Sequence, residues 1–340
     1  MIYELKDPAK AEAVFAGMED TMIRSCLQGM MGGKIYVTDP EAPRAAMAFL
    51  AEFAFLAGEP DRELASFKPK GLVGMVPPDE RWAALLDECW PGAYKMTRYA
   101  IKKHTVFDRK KLEAIVASLP AEYELRRIDG ELYDACLESD QFEDNVCHFE
   151  SKEQFLELGR GFAVLKDGVI VSAASSYTAF REGIEIEIDT EEEHRRKGLA
   201  SAAGAALILS CLDDGLYPGW DAANLESVHL SEKLGYEFDR EYPCYWLSEV
   251  FDRVIKDPDK SGWDAFCGRY QHPADARRIY EIRKKDGELY YHFVNPDNGE
   301  DYDLRMYPVG ERTFGINEDD FELEFSDGCL TIAGNVCKKR

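Results

Sequence analysis

Among 340 residues there is no CxxC pair, no cysteine beside a pair of histidines, and only six histidines in all. The nine cysteines, at positions 26, 89, 136, 147, 211, 244, 267, 329 and 337, are odd in number and scattered, which argues against a disulfide framework or a zinc site. Thiols used this way fit a cytoplasmic protein. Basic residues are short as well: 41 Lys and Arg face 65 Asp and Glu, for a formal charge of -24. Such a field repels nucleic-acid backbones and favours cationic small molecules. The start, "MIYELKDPAK", lacks the basic and apolar regions of a secretory signal. No apolar run reaches the roughly 20 residues of a membrane span; the longest, "AAMAFLAEFAFLAG" (Ala45 to Gly58), is broken by Glu52 and reads as a buried helix. A glycine-rich phosphate loop is missing too, because "GLVGMV" (Gly71 to Val76) has no third glycine and no helix after it, and reads as a turn and strand.

What is present is an ordinary globular composition, 45% hydrophobic and 31% charged, long enough for two or three cores. Three regions separate by pattern. Residues 1–118 are mixed α/β, with a helix-like stretch over 11–29, a strand at "KIYVTD" and a helix in "PPDERWAALLDECW". Residues 119–248 open with a strand and helix, then give an antiparallel meander: "FAVLK" and "VIVSAASSYTAF" flank the turn Asp167-Gly168, and "GIEIEIDT" follows. An alanine-rich helix from Leu199, a short strand near "YPGWDA" and a helix from Asn224 to Gly235 complete it. Residues 262–340 are dense in aromatic and β-branched residues, with turn signals at Asp286-Gly287, Asn298-Gly299, Val309-Gly310 and Asp327-Gly328, which predict a small antiparallel sheet or barrel. The fold class is α+β: a mixed sheet flanked by helices between an N-terminal α/β region and a C-terminal β domain.

In "GIEIEIDT" three isoleucines alternate with Glu185, Glu187 and Asp189, so three carboxylates share one strand face. On pattern alone this is a solvated strand face. The turn that follows, "HRRKGLA", leads into a helix of small residues, and a helix N-terminus offers unpaired N–H groups and a positive dipole end to phosphate. Arg195, Arg196 and Lys197 add cationic partners, and Gly198 removes a side chain at the tightest point.

The pattern Arg195-x-x-Gly198-x-Ala200, between a strand and a helix, resembles the acetyl-CoA pyrophosphate loop of the GNAT superfamily of N-acetyltransferases. "WDAANLESVHLSEKLGYEF" (Trp220 to Phe238) resembles the next element of that superfamily, and the whole run is similar to the bacterial branch that includes enzymes acetylating the antibiotic zwittermicin. The full likeness covers 119–248, with a weaker one in the first region. The resemblance implies a GNAT-type sheet and acetyl-CoA as co-substrate, with no metal. It places Ile188, Asp189 and Thr190 beside the pantetheine arm, the amides from Arg196 through Leu199 to Ala200 around the pyrophosphate, and Asn224 near the arm. It implies acetyl transfer to a primary amine of a small cationic molecule, with Glu187, or else Glu185, as the base that removes the amine proton.

One position departs from the pattern: Ser231 stands where many GNAT enzymes carry a tyrosine that protonates the leaving thiolate. His229, Tyr236 and water are the substitutes open to it. A CoA-binding sensor or assembly module without turnover therefore stays as the alternative. His194 is weighed chiefly as a solvated loop residue, Asn224 equally as a helix cap, and His148 as structural. The C-terminal β domain has no motif; shaping the acceptor site and forming a homodimer are the two roles open to it.

Overall fold

The computed structural model describes the backbone of residues 1–340 and every side chain except those of Asp319 and Asp320. The chain makes two compact units. Met1–Phe67, Met75–Cys89 and Met96–Cys244 form the first; Lys68–Gly74, Trp90–Lys95 and Tyr245–Arg340 form the second.

The first half of the chain supplies strands β1 (Tyr3–Glu4), β2 (Lys34–Val37), β3 (Ala45–Leu50), β4 (Phe53–Gly58), β5 (Val73–Val76) and β6 (Tyr94–Ile101). Helices α1 (Thr21–Leu27), α2 (Arg62–Ala65), α3 (Glu80–Cys89) and α4 (Arg109–Ala117) lie among and after them. Then come β7 (Glu124–Arg127), α5 (Gly130–Leu137), α6 (Lys152–Leu158), β8 (Gly161–Lys166), β9 (Val169–Phe180) and β10 (Gly183–Thr190). Finally α7 (Leu199–Asp213), β11 (Tyr217–Gly219), β12 (Asp221–Ala222), α8 (Leu225–Leu234) and β13 (Phe238–Leu247) bring the chain to the barrel.

Two sheets result, in the orders β1-β2-β3-β4-β5-β13-β6-β12 and β11-β10-β9-β8-β7. The larger takes β12 and β13 from the second sequence region. The expected meander is present as β8-β9-β10, all antiparallel. Helix α7 packs against β8, β9, β10 and β11, with α4 and α8 beside it. It is apolar nearly all round, as a buried helix must be. Small residues set its approach: a Cβ on Gly204 would lie 3.0 Å from both Ile188 Cδ1 and Leu234 Cδ1. On the other face of the smaller sheet α1 packs against β9 and β10 and also against β3 of the larger one.

Two expectations fail here. The run Ala45 to Gly58 is not a helix but the hairpin β3-β4, turned at Ala51 with φ +52° and at Glu52. Both strands are buried on both faces, which erases the alternation that separates a strand from a buried helix. The helix over 11–29 shrinks to α1, because Gly17 at φ +86° breaks the chain and Asp20 starts a new helix.

The last eight strands close a barrel: β14 (Gly268–Gln271), β15 (Ile279–Lys285), β16 (Glu288–Val294), β17 (Asp301–Pro308), β18 (Thr313–Ile316), β19 (Asp319–Ser326), β20 (Cys329–Ile332) and β21 (Asn335–Lys339). β14 pairs with both β15 and β21, so no edge is left open. Leu289, Met306, Phe314, Ile316, Leu323 and Leu330 fill it. The four turn signals each join neighbouring strands of this barrel.

Candidate active site

Strand β10 runs antiparallel to β9 along its length, with a bulge between Glu185 and Ile186 that leaves Tyr177 without an opposite residue. Its other edge pairs with β11 only from Gly183 to Glu185. The chain then leaves this sheet, and β12 pairs with β6 of the other one. From Ile186 to Thr190 that edge of β10 has no strand partner among the described residues. Glu185 sits where the strands part. Gly219 is required there, since a Cβ on it would lie 2.5 Å from Glu185 Oε2.

The three carboxylates of β10 meet different surroundings. Glu185 is buried; its Oε2 accepts from the Thr21 hydroxyl, while Oε1 has no hydrogen-bond partner. Burial holds its pKa up, against Lys103 and the Thr21 hydroxyl. Glu187 lies partly open beside the unpaired edge. Burial pushes its carboxyl up to about 8, and the negative charges of Asp189 and Asp144 add to this. Asp189 accepts from Gln141 Nε2 and Asn145 Nδ2, each at 3.3 Å, and so ties β10 to the 141–145 segment. Asp144, Cys147 and His148 bring their donor atoms within 4.8 Å of one another nearby. His148 lies against the Tyr177 ring, centroids 4.1 Å apart.

The basic turn is exposed at Arg195, Arg196 and Lys197. Arg196 and Gly198 both take left-handed backbone, at φ +60° and +84°. Gly198 is the residue before α7, no side chain caps that helix, and a Cβ at Gly198 would meet nothing within 4 Å. Its φ demands a glycine, and the place a Cβ would take stays clear for a ligand. The place of that Cβ is open, and the first-turn amides of Leu199 and Ala200 that follow have no intrahelical acceptor. Arg195 Nε donates to the Thr190 carbonyl at 3.3 Å, and the Ser172 hydroxyl donates to the Asp189 carbonyl at 3.0 Å. His194 faces the Tyr123 hydroxyl at 3.1 Å instead of the turn's open side. Asn224 caps α8, accepting from the Ser227 N–H at 2.8 Å.

A cleft of about 660 Å³ opens in the same unit. Asp20, Lys103 and Asp221 line its inner part, and Glu80, Asp239, Arg240 and Glu241 its exposed rim. Arg98 Nη2 lies 2.7 Å from Asp221 Oδ1, and the Tyr242 hydroxyl donates to Asp221 Oδ2 at 2.8 Å. Burial works against the Lys103 ammonium, yet Glu185, Asp20 and Asp221 outweigh it and hold its pKa at about 12.

The model of the GNAT acetyltransferase family matches residues 12–245, more than half of the chain. This chain belongs to that family. The GNAT unit is 42% identical to a GCN5-related N-acetyltransferase-like protein of Streptococcus suis, whose crystal structure superposes with a TM-score of 0.66 over 71% of this chain and 98% of that one. It is also 27% identical over 250 residues to the uncharacterised N-acetyltransferase YdfB of Bacillus subtilis (strain 168), covering 72% of this chain and 89% of the relative. The barrel lies outside the family match.

GNAT enzymes use acetyl-CoA as co-substrate, and the residues present fit it. An uncapped helix start with clear space at the Gly198 Cβ position suits a pyrophosphate, and a strand edge with no partner suits the pantetheine amides. The hydroxyls of Ser231 and of Tyr236, one of the substitute acids, are both engaged. Ser231 is buried and donates its hydroxyl to the Val228 carbonyl at 2.8 Å, and Tyr236 donates to the Pro218 carbonyl at 2.8 Å. His229 is exposed.

Sequence reasoning missed Asp20, Thr21, Arg98, Lys103 and Asp221. Thr21 lies 164 positions from Glu185 in the chain, so no local pattern joins them. Asp221 alone had a signal, as the acidic residue in the strand of "YPGWDA".

Proposed function

We propose that this GNAT enzyme transfers the acetyl group of acetyl-CoA to a primary amine of a small cationic molecule, in a cytoplasm where its nine free cysteines stay reduced. Amines of the zwittermicin type, acetylated by the branch that its sequence resembles, fall in that class. The observation that carries the reading is the placement of Glu187 on the unpaired edge of β10, just past the point where its partner strand leaves, with a carboxyl that burial pushes up to about 8.

The main chain of Ile188, Asp189 and Thr190 would face the pantetheine arm. Arg196, Lys197, Gly198, Leu199 and Ala200 would hold the pyrophosphate, and Asn224 would stand at the arm's other side. Acetyl-CoA supplies an activated carbonyl carbon on a thioester. An ammonium has no lone pair, so Glu187, ionised above about 8, takes a proton from the bound amine. The amine nitrogen forms its bond to the carbonyl carbon, the carbon–sulfur bond breaks with the electron pair staying on sulfur, and the second proton, lost by the acylated nitrogen, passes through water to the thiolate. Water protonates the departing thiolate, since a thiol pKa near 8.5 lets it leave unaided. Arg195, bound back to Thr190, steadies the turn. Glu185, whose Oε2 accepts from the Thr21 hydroxyl, is the alternative base.

A second reading, CoA binding without turnover, is favoured by the engaged hydroxyls of Ser231 and Tyr236. Calorimetry with acetyl-CoA, followed by thiol release across an amine panel, separates the two. Micromolar binding with release is the expected result; binding with no release on any amine would favour the sensor, and no binding would end both.

A further inference from the structure

We infer that Asp144, Cys147 and His148 form a binding site for a divalent ion of the zinc type, carried by the turn that packs against β9 and β10. The inference stands apart from the acetyl-transfer reading and assigns no step of it to the ion.

Cys147 and His148 are neighbours in the sequence and lack the paired spacing of a zinc motif, so the chain alone names no third ligand. The one-turn 3-10 helix Glu143–Asn145 supplies it. The amides of Val146 and Cys147 both donate to the Glu143 carbonyl at 2.9 Å, which curls the backbone and brings Asp144 alongside the two residues. One donor atom from each of Asp144, Cys147 and His148 then lies within 4.8 Å of the others. Cys147 Sγ is already 3.7 Å from Asp144 Oδ1. Zinc holds sulfur at about 2.3 Å and nitrogen or oxygen at about 2.0–2.2 Å, which sets neighbouring donors roughly 3.5 Å apart, so the three need to draw in by about 1 Å.

The His148 ring is the independent sign of a ligand. Its Nε2 is enclosed without a hydrogen-bond partner, and Nδ1 makes no hydrogen bond among the described residues either. The ring lies against Tyr177 of β9, which fixes it in place and leaves both nitrogens unused. An enclosed polar atom with no partner is costly, and a neutral imidazole nitrogen that coordinates a metal is relieved of that cost. Asn145 Oδ1, in the same turn, is enclosed and unpartnered too. The charges agree with a cation. Asp144, Glu143 and Glu52 all act on Cys147, and none of these carboxylates is in an ion pair among the described residues. A thiolate, an imidazole and a carboxylate together select zinc-like ions over magnesium and calcium, which take oxygen ligands. On binding, the Cys147 S–H bond breaks, its proton leaves to solvent, and the sulfur gives its electron pair to the ion. Water takes the fourth position. The ion would clamp the turn to β9, through His148, beside the link that Asn145 already makes to Asp189 of β10.

The test is a titration of the full chain, stripped with a chelator and kept reduced, with Co²⁺ as the probe. A cobalt–thiolate bond absorbs in the near ultraviolet, and a four-coordinate cobalt ion absorbs strongly in the visible. One ion per chain should bind with both bands; Zn²⁺ should displace it and Mg²⁺ should not. Zn²⁺ should also raise the Tm. Cys147→Ser should abolish the near-ultraviolet band and the rise in Tm. Asp144→Asn changes an exposed side chain, so the fold should survive; it should keep the thiolate band and weaken Co²⁺ at least tenfold. No thiolate band in the wild type, or a band that Cys147→Ser leaves intact, overturns the proposal. Should Cys147→Ser fail to fold, Asp144→Asn decides, because an unchanged Co²⁺ affinity there overturns it as well. Acetyl transfer that proceeds equally in the stripped protein leaves the site standing, and loss of acetyl transfer in every form leaves the cobalt spectrum unaltered.

Discussion

At the residue scale the molecule turns on carboxylates whose neighbours decide their protonation. Glu187 and Glu185 alternate on one strand, yet burial, Asp189 and Asp144 act on the first, while Thr21 and Lys103 attend the second. If Glu187 is the base, kcat/KM should rise with pH and level off above about 8. Glu187→Gln should lose that inflection and roughly 10²-fold in rate, with acetyl-CoA affinity kept. A stability signature goes with it. Because the folded-state pKa is raised, the contribution of Glu187 to stability is full below the unfolded carboxylate value of about 4.3 and is lost as pH rises through about 8. Melting the variant from pH 5 to 9 should show a Tm that gains on the wild type as pH increases; a constant difference would count against the shifted carboxyl. The carboxylate row was legible because strand alternation is local. Its partners Asp20, Thr21, Arg98 and Lys103 were not, since they arrive from another sheet and helix.

At the element scale the start of α7 is the part that sequence read best. The motif from Arg195 to Ala200 placed the strand, the turn and the helix where they occur. Gly198 has two reasons to be a glycine: the φ of +84°, and the close approach of a phosphate that the sequence predicts. These causes give different variants. Gly198→Ala pays for left-handed backbone, roughly 1 kcal/mol, and Gly198→Asn pays less because Asn tolerates that region. Both put atoms into the open space at the Cβ position. Acetyl-CoA affinity should therefore fall at least tenfold in both, with the larger Tm loss in the alanine variant; unchanged affinity in either would remove the pyrophosphate from this turn. The β3-β4 hairpin is the opposite case. Its strands are apolar on both faces, so a helix and a strand pair give the same pattern, and only a left-handed Ala51 distinguishes them.

At the scale of the whole molecule the acidic excess and the barrel behave differently as signals. Turn dipeptides announced the barrel strands, but closure depends on β14 meeting β21, a pairing across nearly seventy residues that no local signal carries. Net charge needs no fold to act. A formal -24 draws cations toward a cleft whose mouth is acidic, and that attraction is screened by salt. The Debye length falls from about 30 Å at 0.01 M to about 8 Å at 0.15 M, which removes the long-range part and spares contacts inside the cleft. For a cationic acceptor kcat/KM should then drop several-fold between these salt concentrations, chiefly through KM, and more steeply for spermidine than for butylamine. Methoxyamine, uncharged at neutral pH, feels no such field and should change little under the same conditions. A common salt response for all three amines would mean that the field of the protein does not select the acceptor, and that whatever preference it has comes from groups within contact distance alone.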